Sequence, residues 1–542
     1  MTQTGAIAPA ESPSGPLAPL IRAMSDPGFY PEKPESVQLR QTHISYVFLA
    51  GDWVYKVKKP VRFPFLDAST LERRRALCRD EVRLNRRLAP QLYAGVLPIV
   101  GRATGYALGA AGSEAAALEF AVKMRRLDSG RFLETLVAAG RADLETIAAV
   151  ARRVATFHAR TGAQQSWQFG AATALWRRVM GDLESYRVFV GYTVGADEFA
   201  AIQAFCGGFL RRQWGLLDRR ALAGKTRDGH GDLRAEHVWV DRDRVLIFDC
   251  IEFSDSIRHC DVASEIAFLA MDLDRLGAAR LSLALVSTYR ALAGDDELAL
   301  LMPFYKCYRA CVRGMAESAR SREAEVGAAA RAAARALGGR YFALARRYAA
   351  LAAPAMIVVC GLAGAGKSTV ARALGERLGF PVVSSDVLRK QIASVCSPPL
   401  APAGYGRGIY CEQFNRRTYG ALLNRAAQTL AAGSGVILDA TFKDPTNRLL
   451  AIETARRATV AWLFVECRCE EKEALKRLDC RARQKGAASD ADRRVYLRQR
   501  GEFVPLSELP AQRHLAVDTT PDSAAGALAV ERRLAELHSL DR

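Results

Sequence analysis

The chain is expected to fold as two domains, an α+β N-terminal half and an α/β C-terminal half built on a parallel sheet with helices on both faces. Three observations lead there. At 542 residues, 50% of them hydrophobic, the chain exceeds what one core ordinarily fills. The first half opens on β-branched and aromatic runs and then turns to Ala/Leu/Arg helices, whereas the second alternates short apolar strands with helices, the pattern of a parallel sheet. Between them, Gly327 to Arg335 has high helix propensity, and Pro354 stops that helix before the next strand. The expected division is a poorly structured lead-in over 1–37, a first domain over 38–322, a helical linker over 323–353 and a second domain over 354–542.

Charge and composition narrow the classes. The formal charge is +19, but arginine is spread along the whole chain and no dense basic block carries interleaved aromatics, so nucleic acid is not the favoured partner. No run approaches the roughly 18 uninterrupted apolar residues of a membrane span, and the start lacks a basic, then apolar, leader. Twelve cysteines occur without a C-x-x-C pair, which fits reduced thiols in a cytoplasm.

In the first half, Ile44 to Leu49 and Trp53 to Lys58 flank Gly51-Asp52, a hairpin signal. Val54, Lys56 and Lys58 share one strand face. The following helix, Leu71 to Leu88, puts Glu81 and Asn85 in the apolar stripe of Leu77, Cys78, Val82 and Leu88. A carboxylate there needs a partner, and Lys56 or Lys58 can supply it. Such a strand-lysine and helix-glutamate pair positions nucleotide phosphates in protein kinases. Residues 115–130 read as a strand leading to a hinge and 131–220 as helices, with His158 a packed helix residue. Then come His230-Gly231-Asp232, a strand, a polar turn, and a second strand ending at Asp249; a hairpin brings both carboxylates to one end, as a base and a metal ligand require. The pattern follows H-x-D-x-x-x-x-N with His237 in the Asn position.

Residues from about 38 to 320 resemble the aminoglycoside phosphotransferase family, which has the protein-kinase-like fold, and especially its subgroup fused to a C-terminal P-loop kinase domain. The resemblance rests on the Val54–Pro60 strand, Asp80 to Leu88, His230 to Val240, Ile247 to Phe253 and Arg258 to Asp261. It implies that Asp232 is the base near the substrate hydroxyl, Asp249 the main metal ligand, Lys56 the phosphate lysine paired with Glu81, and Asp261 a support beneath the loop. Two departures stand out: His237 replaces Asn, and no Gly-rich loop precedes the first hairpin. His237 is open to two roles, a metal ligand favouring Mn²⁺ over Mg²⁺ or a hydrogen-bond partner of Asp232. The acceptor does not follow from the fold.

In the second half the strand Ala355 to Cys360 runs into Gly361, Leu362, Ala363, Gly364, Ala365, Gly366, Lys367, Ser368 and Thr369, matching G-x-x-x-x-G-K-[ST] ahead of an amphipathic helix ended by Gly379. Glycines let backbone N–H groups close on phosphate oxygens, Lys367 reaches the β- and γ-phosphates, and Ser368 holds Mg²⁺. Asp439 ends an apolar strand as a second carboxylate for the metal shell. Asp386 follows another strand, with Arg389 one helical turn on. Lys476 to Arg483, including Arg477 and Arg481, and Arg493-Arg494 flank a Gly-Ala-Ala-Ser stretch and read as an arginine lid over ATP. Residues 355–540 resemble the small P-loop kinases, AAA-type ATP-binding domains that include polynucleotide kinases, gluconate-type kinases and zeta-type toxins. That resemblance implies that Asp386 is a base and Arg389 a substrate-phosphate clamp.

The expected activity is ATP- and Mg²⁺-dependent transfer of a γ-phosphate to a hydroxyl of a small-molecule acceptor. The alternatives are a polynucleotide or RNA-end kinase, and a nucleotide-binding regulator whose first half is a pseudokinase.

Overall fold

The computed structural model describes residues 17–63, 66–103, 105–110, 113–162, 167–323, 326–394, 408–482, 491–520 and 523–540. The chain divides into two compact units, Met1–Gly294 with Tyr308–Leu344, and Asp295–Cys307 with Ala345–Arg542.

The first unit is α+β. Its sheet has six antiparallel strands in the order Val37–Gln41, Ser45–Ala50, Trp53–Lys58, Ala117–Arg125, Tyr93–Arg102, Gly105–Leu108. One face is covered by the helix Leu71–Asn85, which starts on Thr70 as its cap and packs Cys78 and Val82 against Tyr93, Phe120 and Val122. The other face is covered by the helix Ala18–Met24, whose Leu20, Ile21 and Met24 are buried among Phe48, Tyr55, Val57 and Ile99. This corrects the lead-in expectation from Ala18 onward. Burial of three large apolar side chains, at about 1.5–3 kcal/mol each, is enough to order a helix this short.

After the sheet the unit is helical. Val262–Arg275 is buried around almost its whole circumference. It starts on Asp261, whose carboxylate accepts from the Ala263 amide (2.8 Å) and from both Arg220 Nε (2.8 Å) and Nη2 (2.9 Å). Within the stretch expected as a linker lies the helix Ala328–Leu351, whose Phe342 ring lies against Gly314, where even a Cβ would come within 2.9 Å of it. A short hairpin, Val238–Asp241 with Arg244–Ile247, carries the stretches expected to hold the first site.

The second unit is α/β. Its sheet is parallel throughout, in the order Val382–Ser384, Val436–Asp439, Ala355–Cys360, Ala461–Arg468, His514–Asp518. All six residues of the central strand are buried, as a strand covered on both faces requires. Among the described residues no helix is long and apolar enough to cross a membrane.

Candidate functional site

In the first unit, strand alternation sends Lys56 and Lys58 to the same side, where Glu81 from the covering helix receives both. Lys56 Nζ lies 3.0 Å from Glu81 Oε1 and Lys58 Nζ 2.5 Å from Oε2. Each lysine has a second carboxylate: Lys56 donates to Asp249 Oδ1 at 2.7 Å, and Lys58 to Glu252. This separates two lysines the sequence left equivalent. Lys56 faces the half-exposed Asp249, whereas Lys58 turns inward. Burial disfavours every charge in this group, yet Asp249, Glu81 and Glu252 together hold Lys56 well above the ordinary lysine range, and Lys56 and Lys58 hold Glu81 below the ordinary carboxylate range. Asn85, the other polar residue of the stripe, accepts from the Cys250 amide at 2.9 Å and so ties the helix to the segment after Asp249.

Asp249 itself has φ +63°, a left-handed conformation that costs a non-glycine residue on the order of 1 kcal/mol and is kept where neighbours over-determine it. Here Lys56 holds its side chain, and the Asn85 bond fixes the next residue.

The loop carrying Asp232 is pinned from beneath. Glu265 Oε1 accepts from the His230 and Gly231 amides, and its Oε2 is 2.7 Å from His158 Nε2. His158 is therefore a support, with its Nδ1 on the Tyr289 hydroxyl at 2.7 Å. Gly231 is required: its φ is +85°, and a Cβ would stand 2.9 Å from Ile251. Burial would raise the Glu265 carboxyl, but the hydrogen bond and charge of His158 and the Gly231 amide outweigh it and bring the group to about 2 from an ordinary 4.5. The folded value lies below the unfolded one, so the stabilisation is complete above about pH 4.5 and is lost as the pH falls toward 2. Urea unfolding at a series of pH values is expected to show wild type losing on the order of 3 kcal/mol more than Glu265→Gln across that window.

Asp232 is ionised and engaged. Burial would raise its carboxyl, but Arg234 and His237 hold it far below the usual range, and Arg234 binds both oxygens at 2.9 Å. His237 Nδ1 lies 2.8 Å from the Asp232 carbonyl, which can only accept, so Nδ1 carries the proton and Nε2 keeps its lone pair in the neutral ring. That Nε2 is 3.6 Å from Asp249 Oδ2 and 3.4 Å from Arg234 Nη2.

In the second unit, Gly361, Gly364 and Gly366 all have positive φ (129°, 75° and 78°). A Cβ at Gly361 would lie 2.5 Å from the Cys467 carbonyl and one at Gly364 2.6 Å from that of Ala474, so the cradle admits only glycine there. Lys367 Nζ folds back onto the Leu362 carbonyl at 2.8 Å. Ser368 Oγ donates to Asp439 Oδ2 at 2.8 Å, at the carboxyl edge of the sheet. Thr369 is exposed on the next helical position, and the Ala365 carbonyl accepts from Thr519 Oγ1 at 2.9 Å.

The lid residues divide. Arg477 Nη2 donates to the Thr519 carbonyl at 2.7 Å, beside the loop. The Arg481 side chain and the Gly-Ala-Ala-Ser stretch lie outside the described residues. Arg493 grips Asp479, tying the helix Glu471–Ala482 to Arg493–Glu502. From that second helix Gln499 Oε1 accepts from the Ala363 amide at 2.9 Å, and Tyr496 packs on Ala363. Asp386 is half-buried in the first turn of Ser385–Ser394. Arg389, expected as a substrate-phosphate clamp, is enclosed by its neighbours. It is 6% exposed, donates through Nη1 to the Ile409 carbonyl at 2.7 Å and lies over the Tyr410 ring.

Sequence reasoning missed Arg234, Glu252 and Gln499. The first two had a signal, since each is a charged residue two or three positions from a singled-out aspartate; Gln499 had none. Among the described residues no group of three or more His, Cys, Asp or Glu side chains is placed to hold a metal ion by itself.

Residues 356–506 match the AAA domain family. The uncharacterized proteins Rv2004c of Mycobacterium tuberculosis H37Rv and Mb2027c of Mycobacterium bovis are each 32% identical to the chain over 437 residues, 80% of this chain and 83% of theirs. Among solved structures the chain is similar to a choline/ethanolamine kinase family protein from Mesorhizobium loti (TM-score 0.34, 15% identity, 60% of this chain and 99% of that one). It is also similar to a gluconokinase from Sinorhizobium meliloti 1021 (TM-score 0.26, 22% identity, 34% of this chain and 95% of that one).

Proposed function

The chain belongs to the same family as the mycobacterial proteins Rv2004c and Mb2027c, and on the chemistry of its two sites we propose that it is an ATP- and Mg²⁺-dependent phosphotransferase acting on a hydroxyl of a small molecule. The observation that carries the reading is Lys56, shared between a buried glutamate and Asp249 at the end of the hairpin that also presents Asp232.

Both sites suit the groups the reading needs. In the second unit a cradle that any Cβ would fill, with Ser368 and Asp439 side by side, suits a polyphosphate and a hard cation. In the first unit Asp249, with His237 beside it, would hold the metal and Lys56 the phosphates. Bound Mg²⁺ neutralises phosphate charge and orients the group to be transferred. The chain's own residues do the rest. Glu81 fixes Lys56, the Glu265 and His230 contacts fix the loop, and the ionised Asp232, although held on both oxygens by Arg234, keeps lone pairs that can orient the acceptor hydroxyl as its proton leaves. Arg234 holds that carboxylate in place and adds positive charge where charge develops.

The test is transfer of labelled γ-phosphate from ATP to a panel of sugars, antibiotics, nucleosides and oligonucleotides by full-length protein, by Lys367→Ala and by Asp249→Asn. A product lost in only one variant assigns an acceptor to one unit. ATP binding by the first unit with no transfer to any acceptor would make that unit a regulator.

His237 gives a separate expectation. With Nδ1 committed to the Asp232 carbonyl, Nε2 is the atom left for a metal on Asp249. His237→Asn, which offers a harder oxygen, is expected to lower the ratio of Mn²⁺- to Mg²⁺-supported activity by about tenfold. An unchanged ratio would confine His237 to holding the loop.

A further inference from the structure

Lys58 and Glu252 have no part in the chemistry just described, yet both are buried, at 2% and 5% side-chain exposure. A buried ion pair is seldom there for stability, because apolar residues of equal volume do as well or better in its place. Its position is more telling. Five side chains alternate in sign along one line: Asp249, Lys56, Glu81, Lys58, Glu252. The two lysines use different oxygens of Glu81, so one contact can break while the other stays.

We propose that Lys58 and Glu252 are positioning residues, a second ion pair that keeps Glu81 charged and in place while Lys56 exchanges Asp249 for the phosphates of a nucleotide. The inference rests on the first unit being an ATP site. Glu81 is 1% exposed, and a buried carboxylate whose one cation swings toward another anion must either take up a proton or follow the lysine, each of which is costly. A strand lysine with a lone glutamate partner faces that cost whenever it reaches for a ligand. Here Lys58 meets it. Lys58 is itself held from the far side by its contact with Glu252, whose carboxyl burial raises against the pull of Lys58; the other titratable neighbour, Cys78, has its thiol pushed up by burial to about 12 and stays neutral. The nearer lysine is thereby free to act on ligand, and the farther one never leaves the interior.

The test is made in full-length protein carrying Lys367→Ala, which lowers turnover at the P-loop site, with ATP binding and the KM for Mg²⁺-ATP as readouts beside the melting temperature. Glu252→Gln is expected to raise that KM roughly tenfold with a smaller change in kcat. The deciding variant is Lys58→Met with Glu252→Met, which refills the space with apolar side chains. A merely structural pair predicts a stable protein with wild-type KM, and that result would overturn the proposal; a stable protein with the raised KM supports it. Should the double variant fail to fold, Glu252→Gln alone decides, and an unchanged KM there overturns the proposal equally. A Lys367→Ala protein that binds no ATP at all would overturn the kinase reading of this unit, and the inference with it. ATP binding with unaltered KM in the variants would overturn the inference alone.

Discussion

Lys367→Ala, in full-length protein that also carries Asp249→Asn so that the P-loop site alone is read, is expected to lower ATP turnover by about 10²–10³-fold, the usual cost of one preorganised charge-stabilising donor. The fold should be indifferent. Among the described residues Lys367 Nζ makes one hydrogen bond, to the carbonyl of its own loop, and the glycine cradle behind it is fixed by the sterics of Gly361 and Gly364 rather than by the lysine. The melting temperature is therefore expected to match that of the Asp249→Asn parent. Turnover that survives the substitution at the parent rate would remove the P-loop from the mechanism.

The second large effect separates two aspartates of the first unit. On the proposed reading Asp249→Asn takes away a charge on which both Lys56 and a bound metal would depend, and Mg²⁺-ATP binding itself should fall by about 10–100-fold. Asp232→Asn leaves the Lys56, Glu81 and Asp249 arrangement alone, so ATP binding should persist while transfer falls by about 10²–10⁴-fold, the range of a general base. Calorimetric titration with Mg²⁺-ATP and a transfer assay, both in the Lys367→Ala protein, read the two quantities independently. If the two variants bind and turn over as wild type does, the first unit does not work by this design.

What the sequence made legible follows how local each feature is. The P-loop is dictated by contiguous residues, because its glycine torsions, its lysine and the helix behind it lie within one stretch. The Lys56, Glu81 and Asp249 group was within reach because alternation on a strand and a polar residue inside an apolar helix stripe are periodic signals. Which lysine takes which carboxylate was not, since Lys58 meets Glu252 across 194 residues and no local pattern sets that pairing. Arg389 shows the same limit in reverse. The D-x-x-R spacing is visible, but its burial depends on Ile409 and Tyr410, twenty residues on. The helix Ala18–Met24 went unread because the Ala/Pro/Ser-rich composition before it masks a seven-residue amphipathic turn that becomes helical only by packing.

If the first unit is the nucleotide site proposed above, the bond from Lys56 to Asp249 also bears on what it would admit. A lone anion, such as inorganic phosphate or metal-free ATP, would have to pull Lys56 away and leave Asp249 with nothing in exchange. A bare divalent cation would strand the lysine in the same way. On the proposed reading a magnesium nucleotide brings both a cation for Asp249 and anionic phosphates for Lys56, so it can replace both halves of the internal pair in a single swap. A nucleotide site built in this way would favour a ligand that carries both signs over free phosphate or a free cation alone.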